Sequence, residues 1–318
     1  ILYLTIRGNM RRFLITGGAG FIGAALANYL AQHGHTVRVL DDLSAGDAAK
    51  LDPAIHFTRG DVEDKPKVWR LLNKIDCVYH LAARVSVPES VLYPREYNNT
   101  NVGGTVAIME AMRDAGVKRV VLASSGAVYG EQEVDKVNEA LLPNPDSPYG
   151  VSKLAAEGYV RTIGDLWGIE TVALRIFNAY GPGQAIPPTH PPVIPQFVRQ
   201  VLGNGSLIIY GNGEQTRDYI YVDDVVRALA AAATAEGINR QVINIGTGIG
   251  TSINQLIGLI QKVTERKAQT IINPSLLGGV SSLVADTSRA RKLFDFKPQI
   301  TLEEGLALLI ERDPQFAR

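Results

Sequence analysis

The chain has 318 residues, 46% of them apolar, enough to bury one large core or two of moderate size. Lysine plus arginine equals aspartate plus glutamate at 32 each, a balance that gives no global basic surface to draw nucleic acid or anionic membrane. The single Cys77 excludes an internal disulfide framework and a cysteine-built zinc site, which fits a reducing, cytoplasmic interior, and no apolar run approaches the ~18 residues that cross a bilayer. At the start, Ile1–Asn9 resembles a signal segment only superficially: its apolar part is too short and lacks a small-residue cleavage pattern, and Met10 is the more natural first residue.

Strand-like apolar runs then alternate with helical patterns. The strands are expected at Arg12–Thr16, Thr36–Leu40, Ile55–Thr58, Cys77–Leu81, Arg119–Ala123 and Thr171–Leu174, with Cys77 as packing. Helices are expected at Phe21–His33, Asn101–Ala115 and Tyr149–Trp167, stopped by Gly34, Gly116 and Gly168. The alternation predicts an α/β chain with a doubly wound parallel sheet of Rossmann type. After Tyr180 the character changes, because Pro182, Pro187, Pro188, Pro191, Pro192 and Pro195 crowd a stretch that no sheet core accommodates. A loop is expected there, carrying a solvent-facing His190 and opening a smaller mixed α/β region with most substrate contacts. The first domain then covers residues 10–178 and the substrate-binding region 179–318, some segments of which return to the first.

Thr16-Gly17-Gly18-Ala19-Gly20-Phe21-Ile22-Gly23 places three glycines where a strand turns into a helix. Gly17 takes a backbone conformation closed to bulkier residues, Gly20 lets a pyrophosphate approach the main chain, and Gly23 lets helix and strand pack closely. The helix N-terminus then turns free N–H groups and a positive dipole end toward phosphates. An ordinary tight turn also uses such glycines; what separates the readings is Asp41, which ends the next strand-like run about twenty residues on. A carboxylate there accepts hydrogen bonds from an adenosine ribose and repels a 2′-phosphate, so the cofactor expected is NAD rather than NADP.

Ser124-Ser125 closes the run Arg119–Ala123, at the carboxyl edge of a parallel sheet where ligands bind. Tyr149 and Lys153, four apart, share one helix face. A free tyrosine has a pKa of about 10, and lowering it by ~3 units takes about 4 kcal/mol, which Lys153 and an oxidised nicotinamide supply in a partly dry cleft. Tyr149 is then a general base; the plainer reading is a surface tyrosine and lysine at helical spacing.

The glycine signature Thr16–Gly23, Asp41-Asp42-Leu43-Ser44, Gly60-Asp61-Val62, His80-Leu81-Ala82-Ala83, Ser124 to Gly130, Tyr149-x-x-x-Lys153, Arg175-Ile176-Phe177-Asn178 and Arg217 to Asp224 occur in one order. In that order the chain resembles the extended short-chain dehydrogenases/reductases, in their NAD-dependent epimerase/dehydratase family, and most of all the UDP-glucose 4-epimerases. The resemblance implies a catalytic set of Ser125, Tyr149 and Lys153. It implies NAD contacts from Gly17, Gly20, Phe21, Ile22, Gly23, Asp41, Asp42, Ser44 and Gly46, with Asp61 and Val62 at the adenine. Leu81, Ala82, Ala83 and Asn101 would lie along the cofactor, joined by Ser124, Tyr149 and Lys153, with Phe177 near the nicotinamide end. For the substrate it implies Ser125, Asn178, Val193, Ile208, Tyr210, Arg217 and Leu283: Asn178 and Arg217 at a diphosphate, Ile208 and Tyr210 flanking a base, Leu283 at a size gate near the sugar. Without the resemblance, Leu81 to Ala83 read as core, Asn101 as a helix cap, Ile208 and Tyr210 as plain strand, and Arg217 as the ion-pair partner of Asp218 or Asp223. No metal is expected, and a homodimer through Asn101–Ala115 and Tyr149–Trp167 is implied by the resemblance alone.

Gly126 and Ala127, after Ser125, lack proton-handling side chains, whereas nucleotide-sugar dehydratases as a family carry acids there. The pattern resembles that of epimerases, which oxidise a sugar C4 hydroxyl with bound NAD and reduce the ketone from its other face. Three departures stand against a full match. Leu276 replaces a second diphosphate arginine, Pro192 an asparagine beside the substrate, and Leu283 is intermediate in bulk at the size gate. The alternatives are a net dehydrogenase or reductase with exchangeable NAD and a catalytically silent NAD-binding redox regulator.

Overall fold

The computed structural model of the chain describes residues 10–274 and 280–316. In chain order the strands are β1 (Arg12–Thr16), β2 (Thr36–Asp41), β3 (His56–Arg59), β4 (Cys77–His80), β5 (Arg119–Ser125), β6 (Glu170–Ile176), β7 (Asn178–Tyr180), β8 (Ser206–Tyr210), β9 (Thr216–Arg217), β10 (Tyr219–Tyr221), β11 (Gln241–Ile245), β12 (Thr251–Ser252), β13 (Gln269–Asn273) and β14 (Ser282–Leu283). The helices are α1 (Phe21–Gln32), α2 (Lys65–Leu71), α3 (Val87–Leu92), α4 (Pro94–Tyr97), α5 (Gly104–Ala115), α6 (Pro148–Trp167), α7 (Val193–Leu202), α8 (Val222–Ala232), α9 (Ile253–Thr264), α10 (Ser288–Phe294) and α11 (Leu302–Arg312).

Seven strands make one sheet in the order β11-β6-β5-β4-β1-β2-β3, every pair parallel. Period-two alternation explains its burial on both faces. Phe13, Ile15, Val37, Val39, Cys77, Val121 and Leu174 face one core with Leu26 and Leu30 of α1; Leu14, Leu40, Val78, Val120, Leu122 and Ala173 face the other with Ile108 and Met112 of α5. The chain winds outward from β1 to β3, then restarts at β4 on the opposite side of β1. That reversal opens a crevice above the carboxyl ends of β1 and β4.

The six expected strands are present. Helix α6 begins where Ser147 accepts a hydrogen bond from Gly150 N–H at 3.2 Å with Pro148 behind it, and ends at Gly168 with φ +63°. Asn101 does not cap a helix: it sits inside a π-helical turn, Asn98–Gly103, that runs straight into α5. Residues 181–192 carry no strand or helix, and His190 is exposed. The strands beyond them form three small sheets, the first shared with β7 just before: β10 with β7, β8 with β13, and β9 between β12 and β14. Strand β11 returns to pair with β6 at the edge of the large sheet. Among the described residues, no helix is long and apolar enough to cross a membrane.

Candidate active site

The turn between β1 and α1 is built by glycines that differ in what a side chain would meet. Gly17 has φ +68°, and a Cβ on it would stand 2.6 Å from Ala82 N and 2.8 Å from Leu81 C, so Leu81 and Ala82 lie directly against the turn. A Cβ on Gly23 would stand 2.1 Å from Gly17 O and 2.7 Å from Gly18 Cα. Gly23 therefore packs α1 onto the turn, not onto the strand as expected. Contact with a strand falls to Gly18, whose Cβ would meet the Val39 methyls at 2.7 Å. Gly20 is different: its Cβ would touch only Gly17 O, at 3.3 Å, and it opens α1 with no side-chain cap and no acidic residue in the first turn. The N–H groups of Phe21, Ile22 and Gly23 begin this uncapped 12-residue helix, which fits a pyrophosphate.

Asp41 ends β2 and is buried. Its carboxylate accepts Ala19 N–H at 3.0 Å and Leu43 N–H at 2.9 Å, so it joins the glycine turn to the following loop while leaving lone pairs for ribose hydroxyls. Gly46 allows that closeness, since a Cβ there would stand 2.9 Å from Asp41 Oδ1. Asp42 and Ser44 are exposed and bond each other: Ser44 N–H and Oγ donate to Asp42 Oδ1 at 2.8 and 2.7 Å. Asp61 accepts Glu63 N–H at 2.9 Å, and Val62 is buried against Gly104, where a Cβ would meet it at 2.5 Å.

His80 stands under the crevice in a buried relay that sequence reading passed over. Thr105 Oγ1 donates to Asn101 O at 2.6 Å, so it accepts from His80 Nε2 at 3.0 Å, which leaves Nδ1 to accept from Thr16 Oγ1 at 2.7 Å. Burial, aided by the Lys153 charge, pushes the imidazole down to about 3 and keeps it neutral. Asn101, also buried, accepts Arg84 N–H at 2.8 Å and donates to Arg84 O at 3.0 Å and Ser152 Oγ at 2.9 Å. It thereby ties the segment after β4, where Ala83 lies half-buried, to the first turns of α6.

Strand β5 and helix α6 bring Ser125, Tyr149 and Lys153 together. Tyr149 and Lys153 are both buried, so they are not the surface pair of the plainer reading. Ser125 Oγ accepts Ala127 N–H at 3.1 Å and hydrogen-bonds the Tyr149 hydroxyl. Burial pushes the Tyr149 phenol above its ordinary value, and the Ser125 hydrogen bond opposes this only in part. Lowering by Lys153 was expected; in the protein alone the phenol answers to burial and Ser125, and the lysine charge does not offset the desolvation. Lys153 donates to Ala123 O at 3.0 Å, and burial pulls it down to about 8 against the pull of Glu157. Phe177 is buried with its ring 3.2 Å from where a Gly126 Cβ would stand, so any side chain at position 126 would have to displace that ring. Ser124 turns its hydroxyl away from the crevice, to Glu157.

On the substrate side, Asp218 organises what was expected of its neighbours. It is fully buried, and its carboxylate accepts Thr247 N–H (2.8 Å), Thr247 Oγ1 (2.6 Å), Gly248 N–H (2.8 Å) and Ala285 N–H (3.2 Å). Its acceptor capacity is thus directed to three backbone N–H groups and the Thr247 hydroxyl, while Asp223 pairs with Arg312 at 3.4 Å. Asp218 N–H donates to Leu283 O at 3.1 Å, and Asp218 O accepts Asn178 N–H at 3.1 Å, so Asn178, Arg217 and Leu283 come together around one residue. Arg217 donates to Thr216 O at 2.8 Å, and burial lowers its pKa. Val193 starts α7, with Pro192 at its N-cap. Ile208 and Tyr210 project from the exposed face of β8, opposite buried Leu207 and Ile209. Leu276 lies outside the described residues.

Among the described residues no cluster of histidine, cysteine, aspartate or glutamate could hold a metal ion. The arrangement is an uncapped helix end, an acid at the second strand and a buried Ser–Tyr–Lys set, all at the carboxyl edge of one sheet. Over residues 13–246 the chain matches the NAD dependent epimerase/dehydratase family, and it belongs to that family. It is 37% identical over 307 residues to the UDP-glucose 4-epimerase of Mycolicibacterium smegmatis, covering 94% of this chain and 97% of the relative. The Thermotoga maritima UDP-glucose 4-epimerase, solved with UDP-glucose, superposes with a TM-score of 0.90 at 36% identity over 94% of this chain and 97% of that one. MoeE5, solved with UDP-glucuronic acid and NAD, gives 0.86 at 37% identity over 94% and 98%. The expected resemblance, fold class and NAD cofactor agree with these findings.

Proposed function

We propose that the chain is a nucleotide-sugar 4-epimerase of the UDP-glucose/UDP-galactose type, working by transient oxidation at C4. The observation that carries this reading is the Ser125–Tyr149–Lys153 set beside a Gly126 sealed by Phe177, a proton-handling pair with no second acid to expel water from the sugar. Gly17, Gly20 to Gly23 and Asp41 would hold the NAD pyrophosphate and adenosine ribose, with Asp42, Ser44, Gly46, Asp61 and Val62 on the adenosine side. Leu81 to Ala83, Asn101 and Phe177 would line the path to the nicotinamide. When bound, NAD supplies the two-electron acceptor that takes hydrogen from C4 and gives it back.

The protein handles the proton. Tyr149 accepts it from the C4 hydroxyl, Ser125 hydrogen-bonds the same oxygen, and Lys153 favours the ionised phenol by its charge. Asn178 and Arg217 hold the diphosphate, Arg217 as a planar multi-donor cation. Val193, Ile208, Tyr210 and Leu283 complete the substrate side. The 4-keto sugar turns over before hydrogen returns, which inverts C4 with no net redox change. The same reading divides the chain into a cofactor half, 10–178, and a substrate half from 179 on, with Gln241–Ile245 returning to the large sheet. It also takes the protein to be cytoplasmic and a homodimer through α5 and α6.

The test is incubation with UDP, dTDP, GDP and CDP sugars followed by chromatographic separation of C4 isomers. Interconversion without change in nicotinamide absorbance is expected, and Tyr149→Phe is expected to lose at least about a thousandfold in turnover while keeping its NAD. A stoichiometric absorbance change points instead to a dehydrogenase. No turnover of any sugar by an NAD-loaded protein points to a silent regulator. An elimination product from the parent protein overturns the epimerase reading.

A further inference from the structure

Helix α6 carries a third buried functional group on the face that holds Tyr149 and Lys153. Glu157 follows Lys153 by four residues, as Lys153 follows Tyr149, so the three stand one turn apart along one stripe. All three are buried, Glu157 the most at 2% exposed. A carboxylate in such a place is retained only with strong partners. Arg175 of β6 supplies two, with Nε donating to Oε1 at 2.9 Å and Nη2 to Oε2 at 2.8 Å. The guanidinium is itself held over the Tyr129 ring, 4.6 Å from its centroid. A third partner comes from β5, where Ser124 Oγ donates to Oε1 at 2.5 Å. Ser124 adjoins Ser125, and Ala123, on its other side, offers the carbonyl to which Lys153 donates. The carboxylate thus grips the strand residue between the two contacts of the Ser–Tyr–Lys set.

We propose that Glu157, locked by Arg175 and Ser124 one helical turn from Lys153, is a positioning residue that acts through its charge to keep the Lys153 ammonium protonated on the Tyr149 face of α6. This rests on the reading of Tyr149 and Lys153 as the proton-handling pair. The groups facing Lys153 are few. Its own helix offers Tyr149 and Glu157, β4 offers a neutral His80, and β5 offers the Ala123 carbonyl with Ser124 and Ser125. Arg175 of β6 lies behind Glu157, and Tyr97 of α4 packs edge-on against Tyr149 with its hydroxyl turned to Glu89. Among them Glu157 is the negative charge that opposes the desolvation of Lys153, whose pKa burial has already brought to about 8. Without it the lysine becomes neutral in the working range, and Tyr149 loses a cation.

The test reads Lys153 directly. NAD-loaded protein with ε-13C lysine is titrated by NMR, the Lys153 resonance being assigned by its absence from Lys153→Arg. In Glu157→Gln the midpoint is expected to fall by about one pH unit, and the alkaline limb of turnover to move down with it. Glu157→Asp, which keeps the charge, is expected to recover most of that shift. Where Glu157→Gln fails to fold because Arg175 is left without its counter-charge, Glu157→Gln/Arg175→Met is titrated instead, with a smaller fall expected. An unchanged midpoint in a folded variant overturns the proposal, since a purely structural carboxylate lowers activity at every pH without moving the lysine. A shifted midpoint in a protein that interconverts no nucleotide sugar overturns the epimerase reading and leaves the positioning role standing.

Discussion

Gly20→Ala and Gly23→Ala should separate binding of the dinucleotide from folding of its site. At Gly20 the backbone, with φ −73° and ψ 179°, suits alanine, and the new methyl would meet one atom, Gly17 O at 3.3 Å. Entropy lost by the unfolded chain roughly offsets that contact, so stability without cofactor should change by less than about 1 kcal/mol. On the reading proposed above, the methyl would nevertheless intrude where the pyrophosphate approaches the main chain at the start of α1. Loss of one or two charge-assisted hydrogen bonds costs about 2–3 kcal/mol, or roughly 30- to 140-fold in NAD affinity. At Gly23 the methyl would lie 2.1 Å from Gly17 O, 2.7 Å from Gly18 Cα and 2.9 Å from Gly17 C. These are backbone atoms that no rotamer change removes. Helix α1 must shift by about 1 Å, an overpacking expected to cost about 2–3 kcal/mol of stability before any ligand is present. Urea unfolding of NAD-free protein and chromatography of NAD released on denaturation measure the two effects. If Gly20→Ala carries as much NAD as the parent, the close approach of phosphate to this backbone is wrong. A Gly23→Ala protein as stable as the parent refutes the packing argument.

Asp41→Ala is expected to weaken NAD and admit NADP, and to strand the Ala19 and Leu43 N–H groups at a further cost of about 1–3 kcal/mol; unchanged discrimination in a competition assay rejects the ribose assignment. His80 is neutral in the fold to about pH 3 but protonates near 6.5 when unfolded, so the unfolded state binds the extra proton. Stability should therefore fall as pH drops from 6.5 toward 3, by about 5 kcal/mol from this group, and a denaturant series whose slope is unaltered in His80→Gln would contradict it. Gly126→Asp drives a side chain into the Phe177 ring at 3.2–3.3 Å; it should abolish turnover and yield no elimination product, and chromatographic detection of one would show that space for an acid exists.

How legible the chain was varied with the physics of each part. Repeating local patterns were readable: the six expected strands lie within a residue or two of their places, because each is a short apolar run and all but the edge strand β3 are largely buried. The glycine turn and the Ser–Tyr–Lys set were readable because residue type and spacing are themselves the constraint. What escaped were contacts between distant segments. Nothing in the neighbourhood of Asp218 announces that its carboxylate gathers Thr247, Gly248 and Ala285, or that its backbone ties Asn178 to Leu283. Asn101 read as a cap because a π-helical turn has no local signature. Glu157 did leave a signal, the four-residue step beyond Lys153, but its meaning depends on Arg175, which a separate strand delivers.

The same burial that hides these partners determines when Tyr149 is able to act. In the protein alone, desolvation pushes the phenol up, and Lys153, at about 8, is itself near the edge of losing its charge at neutral pH. A phenol raised by burial keeps its proton, so on the reading proposed above Tyr149 is a base only when a further positive charge stands beside it. The oxidised nicotinamide ring would bring that charge; once reduced, that ring is neutral. Ionisation of Tyr149 is therefore linked to the redox state of the site: the phenolate is favoured when C4 is ready to be oxidised, and the phenol when the ketone is ready to take a proton back. Ultraviolet titration of tyrosinate should then show one group ionising at lower pH with NAD bound than with NADH, and that difference should vanish in Tyr149→Phe. Equal titration with both forms of the cofactor would refute the linkage.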